Sequence, residues 1–287
     1  MTLGDEIEVT RAARRAVRFV ALEEGTDYYA AKDRGFAASM SPVVVFADAD
    51  CWADDGWLER LTAPLLDDAH PADVAAGRTC YCDSALGIAA TTIDFMYFPS
   101  PLAEGCTRNF YANNVAFRRS VLETMRFRGE GAFYRGDCQV LGLRLQAAGI
   151  PVRFVPEART VHRFPDSMAE FVRLRLLRGG DAVALSPHLA RAYLPPVFSP
   201  LAGVRALTSA AALAGRWGFS LRALGHQGMR ATKPVETLAC VALLSAVSAM
   251  DAAGATLKLF HLDAPVTFGQ GVANAAVSYH ADVDPLA

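Results

Sequence analysis

No run of eighteen uncharged apolar residues occurs in the chain, so the plainest sign of a membrane-crossing helix is missing. The six cysteines (Cys51, Cys80, Cys82, Cys106, Cys138 and Cys240) contain no CxxC pair, which removes the spacing of a zinc ribbon or a dithiol redox centre. Cys80 and Cys82 alternate along an extended segment, yet a zinc ion there needs two further ligands that the sequence does not offer. Scattered thiols of this kind fit a reducing, cytoplasmic compartment. No glycine-rich phosphate loop is present, which takes support away from a Mg²⁺-dependent nucleotidyl- or phosphoryl-transferase of the P-loop kind. The acidic start Met1-Thr2-Leu3-Gly4-Asp5-Glu6 has no apolar core behind it, so no signal peptide is expected. Net charge is small as well, and a value of −2 excludes a globally basic nucleic-acid binder.

What is present is apolar residues in abundance. They make up 52% of 287 residues and the mean hydropathy is +0.20, enough for one large core or a domain with an appendage. Charge is unevenly spread. Through Asp68 acids outnumber bases by about two to one, whereas Arg118 to Arg178 holds twelve arginines against six acids. The basic half suits phosphates or an anionic membrane surface, although arginines on solvated helix faces would give the same count.

Periodicity predicts an α/β succession. Helices are expected over Glu6–Ala16 and Asp27–Ala38, with a strand over Val17–Leu22. Val43-Val44-Val45-Phe46 reads as a buried strand, and Asp54 or Asp55 as the cap of a helix through Trp57–Leu61. Val74–Cys82 reads as a further strand. The aromatic stretch Ser84–Asn109 reads as a helix followed by a loop over a cleft, and Asn113–Arg119 as a strand running into helix Ser120–Met125. Asp137–Ala148 is an expected helix, and Pro151–Pro156 and Val161–Arg163 are expected as separate extended pieces. Ser167–Arg178 reads as a basic helix that Gly179-Gly180 closes. Beyond Pro195 the texture turns Ala/Leu/Val-rich. Phe198–Phe219 and Val235–Phe260 read as helices broken by Arg205, Arg216, Glu236, Asp251 and Lys258. Arg205, Arg216, Arg222 and Arg230 suit headgroup level on an interfacial hairpin; a buried helical subdomain and true spans are the other readings.

The chemistry-bearing motif is Phe46-Ala47-Asp48-Ala49-Asp50-Cys51. Alternation along a strand sends Asp48 and Asp50 to one side, and two adjacent carboxylates repel unless a cation or proton lies between them. Oxygen ligands suit Mg²⁺ or Mn²⁺ bridging to phosphates. The competing reading is a solvated acidic turn that caps the next helix.

Several pieces then stand in order: Tyr29-Ala30-Ala31-Lys32-Asp33-Arg34-Gly35, the D-x-D strand, Gly56-Trp57-Leu58, Asn114–Arg119, Gly136-Asp137, Ala148-Gly149 and Val161-His162. Over about Tyr28 to Arg178 the chain resembles family 2 glycosyltransferases of the GT-A fold, inverting enzymes that use nucleotide-sugar donors. The resemblance implies a three-layer αβα domain on a mixed, mainly parallel sheet over residues 1–180, with an apolar helical and membrane-associated region over 181–287. It implies that Asp48 and Asp50 hold a divalent cation on the donor diphosphate, with His162 approaching the metal and Lys32 and Asp33 on the donor side. Asp137 matches the catalytic base, although an N-cap role fits the same residue; Asn114 and Trp57 fall on the acceptor side. Lys32-Asp33 stands where the family has Arg-Asn, and Gly136-Asp137 where it has Glu-Asp. The family's opening strand and its acidic nucleotide-base segment have no counterpart here, so the domain is expected to be N-terminally incomplete.

Two functions follow. One is metal-assisted, inverting transfer of a sugar from a nucleotide-diphosphate sugar to the hydroxyl of a saccharide, polysaccharide or lipid-linked acceptor. That enzyme would sit at the cytoplasmic face of a membrane, peripherally or integrally. The other is a catalytically silent, truncated relative that keeps the domain as an interaction surface.

Overall fold

The computed structural model describes residues 19–127, 133–224 and 234–262. Two compact units divide the chain: Met1–Met40 with Gly269–Ala287, and Ser41–Phe268. The expected helix over Glu6–Ala16 lies outside the described residues, and residues 19–22 of the expected first strand carry no regular structure. In the first unit, helix α1 (Tyr28–Ala38) starts at Asp27, whose Oδ1 accepts the N–H groups of Tyr29 and Ala30, both at 2.9 Å. Lys32 lies on this helix with its ammonium over the Tyr28 ring, 4.6 Å from the centroid.

The second unit is built on a six-stranded sheet of β1 (Val43–Ala47), β2 (Cys51–Ala53), β3 (Val74–Cys80), β4 (Cys106–Thr107), β5 (Asn114–Arg118) and β6 (Val152–His162). The order is β1-β5-β3-β6-β2, with β4 also on β6. The sheet is mixed, as expected, but not mainly parallel: of the five pairings among described strands only β3–β6 is parallel. A parallel majority needs repeated βαβ crossovers, and here β5 returns antiparallel between β1 and β3, with β2 and β4 antiparallel on β6.

β1 is covered on both faces. Val43 and Val45 pack toward Leu61 and Leu65 of helix α2 (Trp57–Leu66), while Phe46 meets the rings of Phe117 and Phe127 at 6.0 and 5.4 Å. α2 begins at Gly56 in the left-handed region (φ 67°) with no side-chain cap, so neither Asp54 nor Asp55 caps it; Asp54 instead faces Arg159 at 3.6 Å. Helix α3 (Ala85–Asp94) starts at Ser84, whose Oγ accepts the Gly87 N–H at 3.0 Å. Helices α4 (Arg119–Thr124) and α5 (Asp137–Ala147) follow.

β6 differs from the sequence reading in an instructive way. It is one strand of eleven residues with Pro156 inside it. The ladder with β3 pairs Gly77 with Val155 and Arg78 with Arg159, so residues 156–158 bulge out and the proline costs no ladder bond. Gly77 is needed at that point, because a Cβ there would run into the Ala158 carbonyl and the Asn114 amide.

Helix α6 (Met168–Tyr193) is twenty-six residues long and runs straight through Gly179-Gly180, across the junction at residue 180. It packs with α3, a 3₁₀ segment (Pro196–Gly203), α7 (Arg205–Ala223) and α8 (Pro234–Leu259). The glycines serve close approach, not termination: a Cβ on Gly179 would strike the Asp251 carbonyl, and one on Gly254 the Leu176 carbonyl.

Beside this crossing lies a buried ionic cluster. Arg175, 1% exposed, donates to both oxygens of Asp251 at 2.8 and 2.7 Å and to Asp94 Oδ1 at 2.6 Å. Arg178 pairs with Asp94, and Arg216 reaches Asp94 at 3.5 Å and Asp251 at 3.7 Å. Burial pushes the Asp94 carboxyl up, but Arg175, Arg178 and Arg216 outweigh it and hold the group well below the usual carboxylate range. Arg216, expected at headgroup level, therefore points into the protein, where Asp94 and Asp251 compensate its charge.

Candidate active site

The apolar strand β1 stops at Ala47, and Asp48 to Asp50 form the turn into β2, closed by the Cys51 N–H on the Asp48 carbonyl at 3.2 Å. Strand alternation therefore does not govern Asp48 and Asp50. Asp48 is half-buried and Asp50 exposed. What places Asp50 is the sheet edge. β2 pairs antiparallel with the end of β6 so that Cys51 stands opposite His162, and the Arg163 N–H donates to the Asp50 carbonyl at 2.8 Å.

This register brings His162 Nε2 to 3.7 Å from Asp50 Oδ2. His162 Nδ1 lies 2.8 Å from the Arg163 carbonyl, which only accepts, so Nδ1 carries a proton and Nε2 is the ring nitrogen turned toward the carboxylate. Ligand atoms of Asp50, Cys51 and His162 all lie within 4.8 Å of one another. A carboxylate oxygen, an imidazole nitrogen and a thiol so close together form a ligand set that fits a divalent transition ion.

Tyr81 seats the histidine. Its ring stands edge-on to His162 at 5.6 Å, with Phe95 also against the imidazole at 5.8 Å. The Tyr81 hydroxyl donates to Asp94 Oδ2 at 3.1 Å and accepts from Arg178 at 3.2 Å, and burial pushes its pKa up to about 12. Tyr81 and Phe95 thus connect the ionic cluster to the metal-capable edge. The same two residues line a cavity of about 360 Å³ past the carboxyl end of β3, together with Arg78, Cys82, Tyr97 and Arg159. That is the end of a strand where open α/β sheets place ligands.

Asp137 is buried at the first position of α5, where a negative charge complements the helix dipole. The chain leading into it is tied down by Asp181 of α6, which accepts the N–H groups of Tyr134 at 2.5 Å and Arg135 at 2.7 Å. Burial pushes the Asp181 carboxyl up to about 6 against these two bonds. Asp181 was not singled out from the sequence, where it reads only as the residue after a helix-stopping glycine pair.

Asn114 is fully buried. Its Nδ2 donates to the carbonyls of Arg78 (3.0 Å) and Ala158 (2.9 Å), and its Oδ1 accepts from Trp57 Nε1 at 2.9 Å. The pair braces β5, β3, β6 and α2 together, and acceptor contact by Asn114 would cost these bonds. Lys32 and Asp33 lie on α1 in the first unit.

The sheet with its acidic turn, the histidine on the neighbouring edge and the helices around them define a GT-A-like glycosyltransferase fold. Residues 7–126 match the model of glycosyl transferase family 2. No curated protein sequence matches the chain. Among solved structures, the mannosyltransferase PcManGT from Pyrobaculum calidifontis, in complex with GDP-Man and Mn²⁺, is similar over 91% of this chain and 76% of its own. The identity is 18% and the TM-score 0.54, a likeness of fold.

Proposed function

We propose that this chain transfers a sugar, with inversion, from a nucleotide-diphosphate sugar to an acceptor hydroxyl. The observation that carries this reading is the Asp50–His162 pair at 3.7 Å with Cys51 beside it, a donor set suited to a cation on a diphosphate. The GDP-Man and Mn²⁺ bound to the structural relative support the same pairing of nucleotide sugar and ion. An imidazole ligand favours Mn²⁺ over Mg²⁺, which prefers an all-oxygen shell. A divalent ion held by Asp50 and His162, with Asp48 two residues before Asp50 as a further carboxylate, would neutralise the diphosphate and make it a better leaving group. Asp137 takes the proton of the acceptor hydroxyl as that oxygen forms its bond to the anomeric carbon from the face opposite the departing nucleoside diphosphate. The aromatic cavity beside Tyr81 and Phe95 receives the acceptor, a saccharide or a lipid-linked sugar.

Calorimetry with GDP or UDP in the presence of Mn²⁺ tests the donor half. Asp50→Asn and His162→Ala are expected to weaken nucleotide binding at least about tenfold, whereas Asp137→Asn should bind normally and lose transfer by roughly 10²–10⁴-fold. No heat at millimolar nucleotide would favour the catalytically silent reading. Full turnover by Asp137→Asn would remove the base assignment.

A further inference from the structure

Helix α7 is inside out. Its hydroxyls face inward: Thr208 Oγ1 lies 3.0 Å from Ser186 Oγ, and Ser220 Oγ donates to the Thr92 carbonyl at 3.2 Å. Its apolar residues face outward at helical spacing. Val204, Leu207 and Trp217 are 48%, 52% and 40% exposed, with Ala211 and Ala214 exposed between them. The preceding 3₁₀ segment adds Val197, Phe198 and Leu201, of which Val197 is 76% exposed. Continuous apolar surface of this kind is rarely left in water.

Along this part of the chain the charge has one sign. From Ala182 to Val235 the sequence contains no aspartate or glutamate but six cations: Arg191, Arg205, Arg216, Arg222, Arg230 and Lys233. Arg216 is used inside by Asp94 and Asp251, while Arg191, Arg205 and Arg222 are exposed. Arg205 and Arg222 stand near opposite ends of α7, the apolar residues Leu207 to Trp217 lying between them along the chain. A second copy of this chain docked face to face would set cations against cations. An anionic lipid surface supplies both what the stripe needs and what the flanking arginines need.

We propose that the outward face of α7 and the 3₁₀ segment before it lie in the headgroup layer of an anionic membrane, with Trp217 at the interface and Arg205 and Arg222 on lipid phosphates. This membrane contact is independent of the transfer reading, since none of its residues belongs to the candidate active site.

Flotation of the full chain with phosphatidylcholine vesicles, alone or with about one-third phosphatidylglycerol, tests it. The chain is expected to float with the anionic vesicles and to stay in solution with the neutral ones. Arg205→Glu combined with Arg222→Glu should weaken the anionic binding at least roughly tenfold. Leu207→Asp, on an exposed position, should abolish flotation while leaving the circular dichroism spectrum unchanged. Failure of the full chain to float with either vesicle would overturn the proposal. So would a dimer in light scattering that Leu207→Asp splits, because a second copy would then be the occupant.

Discussion

At the scale of single residues, Tyr81 does two separable jobs. Its ring holds His162 in place, and its hydroxyl serves the buried charges Asp94 and Arg178. Tyr81→Phe keeps the ring, so Mn²⁺ binding followed by electron paramagnetic resonance should be unchanged while stability falls by about 1–3 kcal/mol from the unsatisfied charged partners. Tyr81→Ala should lower stability further and weaken Mn²⁺ binding roughly tenfold, as the loss of a group that orients a ligand does. Equal Mn²⁺ affinity in both variants would mean that the ring does not position the histidine. Asp181 supplies a pH dependence. Its carboxyl is pushed up to about 6 by burial, above its ordinary 3.8, so the folded chain holds this proton more tightly than the unfolded one. The stability this gives is complete below about pH 4 and is lost as the pH rises through 6. Asp181→Asn removes the titration, so denaturant unfolding at a series of pH values should show the variant gaining roughly 2 kcal/mol on the wild type between pH 4 and 6.5. A constant difference across that range would contradict it. Asp50 could be singled out from residue type and spacing alone, Asp137 and His162 only through a resemblance. Cys51 and Asp181 gave no such signal, since the first joins the cluster through a strand register and the second through a loop that is remote in sequence.

Elements were readable where periodicity alone decides, and misread where a glycine or proline has a tertiary use. Helix α5 and strand β5 lie within a residue or so of their expected positions. Gly179-Gly180 satisfies every local rule for a helix end, yet the helix continues because another backbone needs the space at Gly179. Pro156 satisfies the rule for a strand end, yet β6 continues because the bulge over residues 156–158 absorbs it. The α6–α8 crossing can be tested directly. Gly254→Val places a branched side chain against the Leu176 carbonyl and should destabilise the protein by about 3 kcal/mol or more, measured as loss of midpoint in thermal or denaturant unfolding. Asp251→Ala leaves Arg175 short of a partner in the interior and should cost about 3–5 kcal/mol in the same measurement. A variant within about 0.5 kcal/mol of wild type would show that the helices separate without penalty.

At the scale of the whole molecule, the order of motifs along the chain carried the fold class, because a GT-A-like sheet places its chemistry at fixed stations between strands. Strand directions were not carried: an antiparallel return such as β5 between β1 and β3 leaves no trace in apolar runs. Charges in the apolar helices misled for a similar reason. Asp251 and Arg216 look like interruptions in a hydrophobic helix when read locally, and become partners only once the chain has closed. α8 is long and apolar enough to cross a membrane by length and composition, with a third of that stretch (33%) buried in the protein.

That closure has a consequence for the order of events during synthesis. Arg175 is separated from Asp94 by 81 residues and from Asp251 by 76, while Arg216 reaches back 123 residues to Ile93. Contacts so distant along the chain form slowly, because a large loop must close before any of them is gained. Asp94 and the three arginines emerge first, and the second carboxylate arrives only with α8. Until then the nascent chain holds more positive than negative charge at the place that will become its interior, and water must stay there. The sheet and its acidic turn can form early, whereas the helical layer that seats Tyr81, and through it His162, closes only after residue 251 has been made.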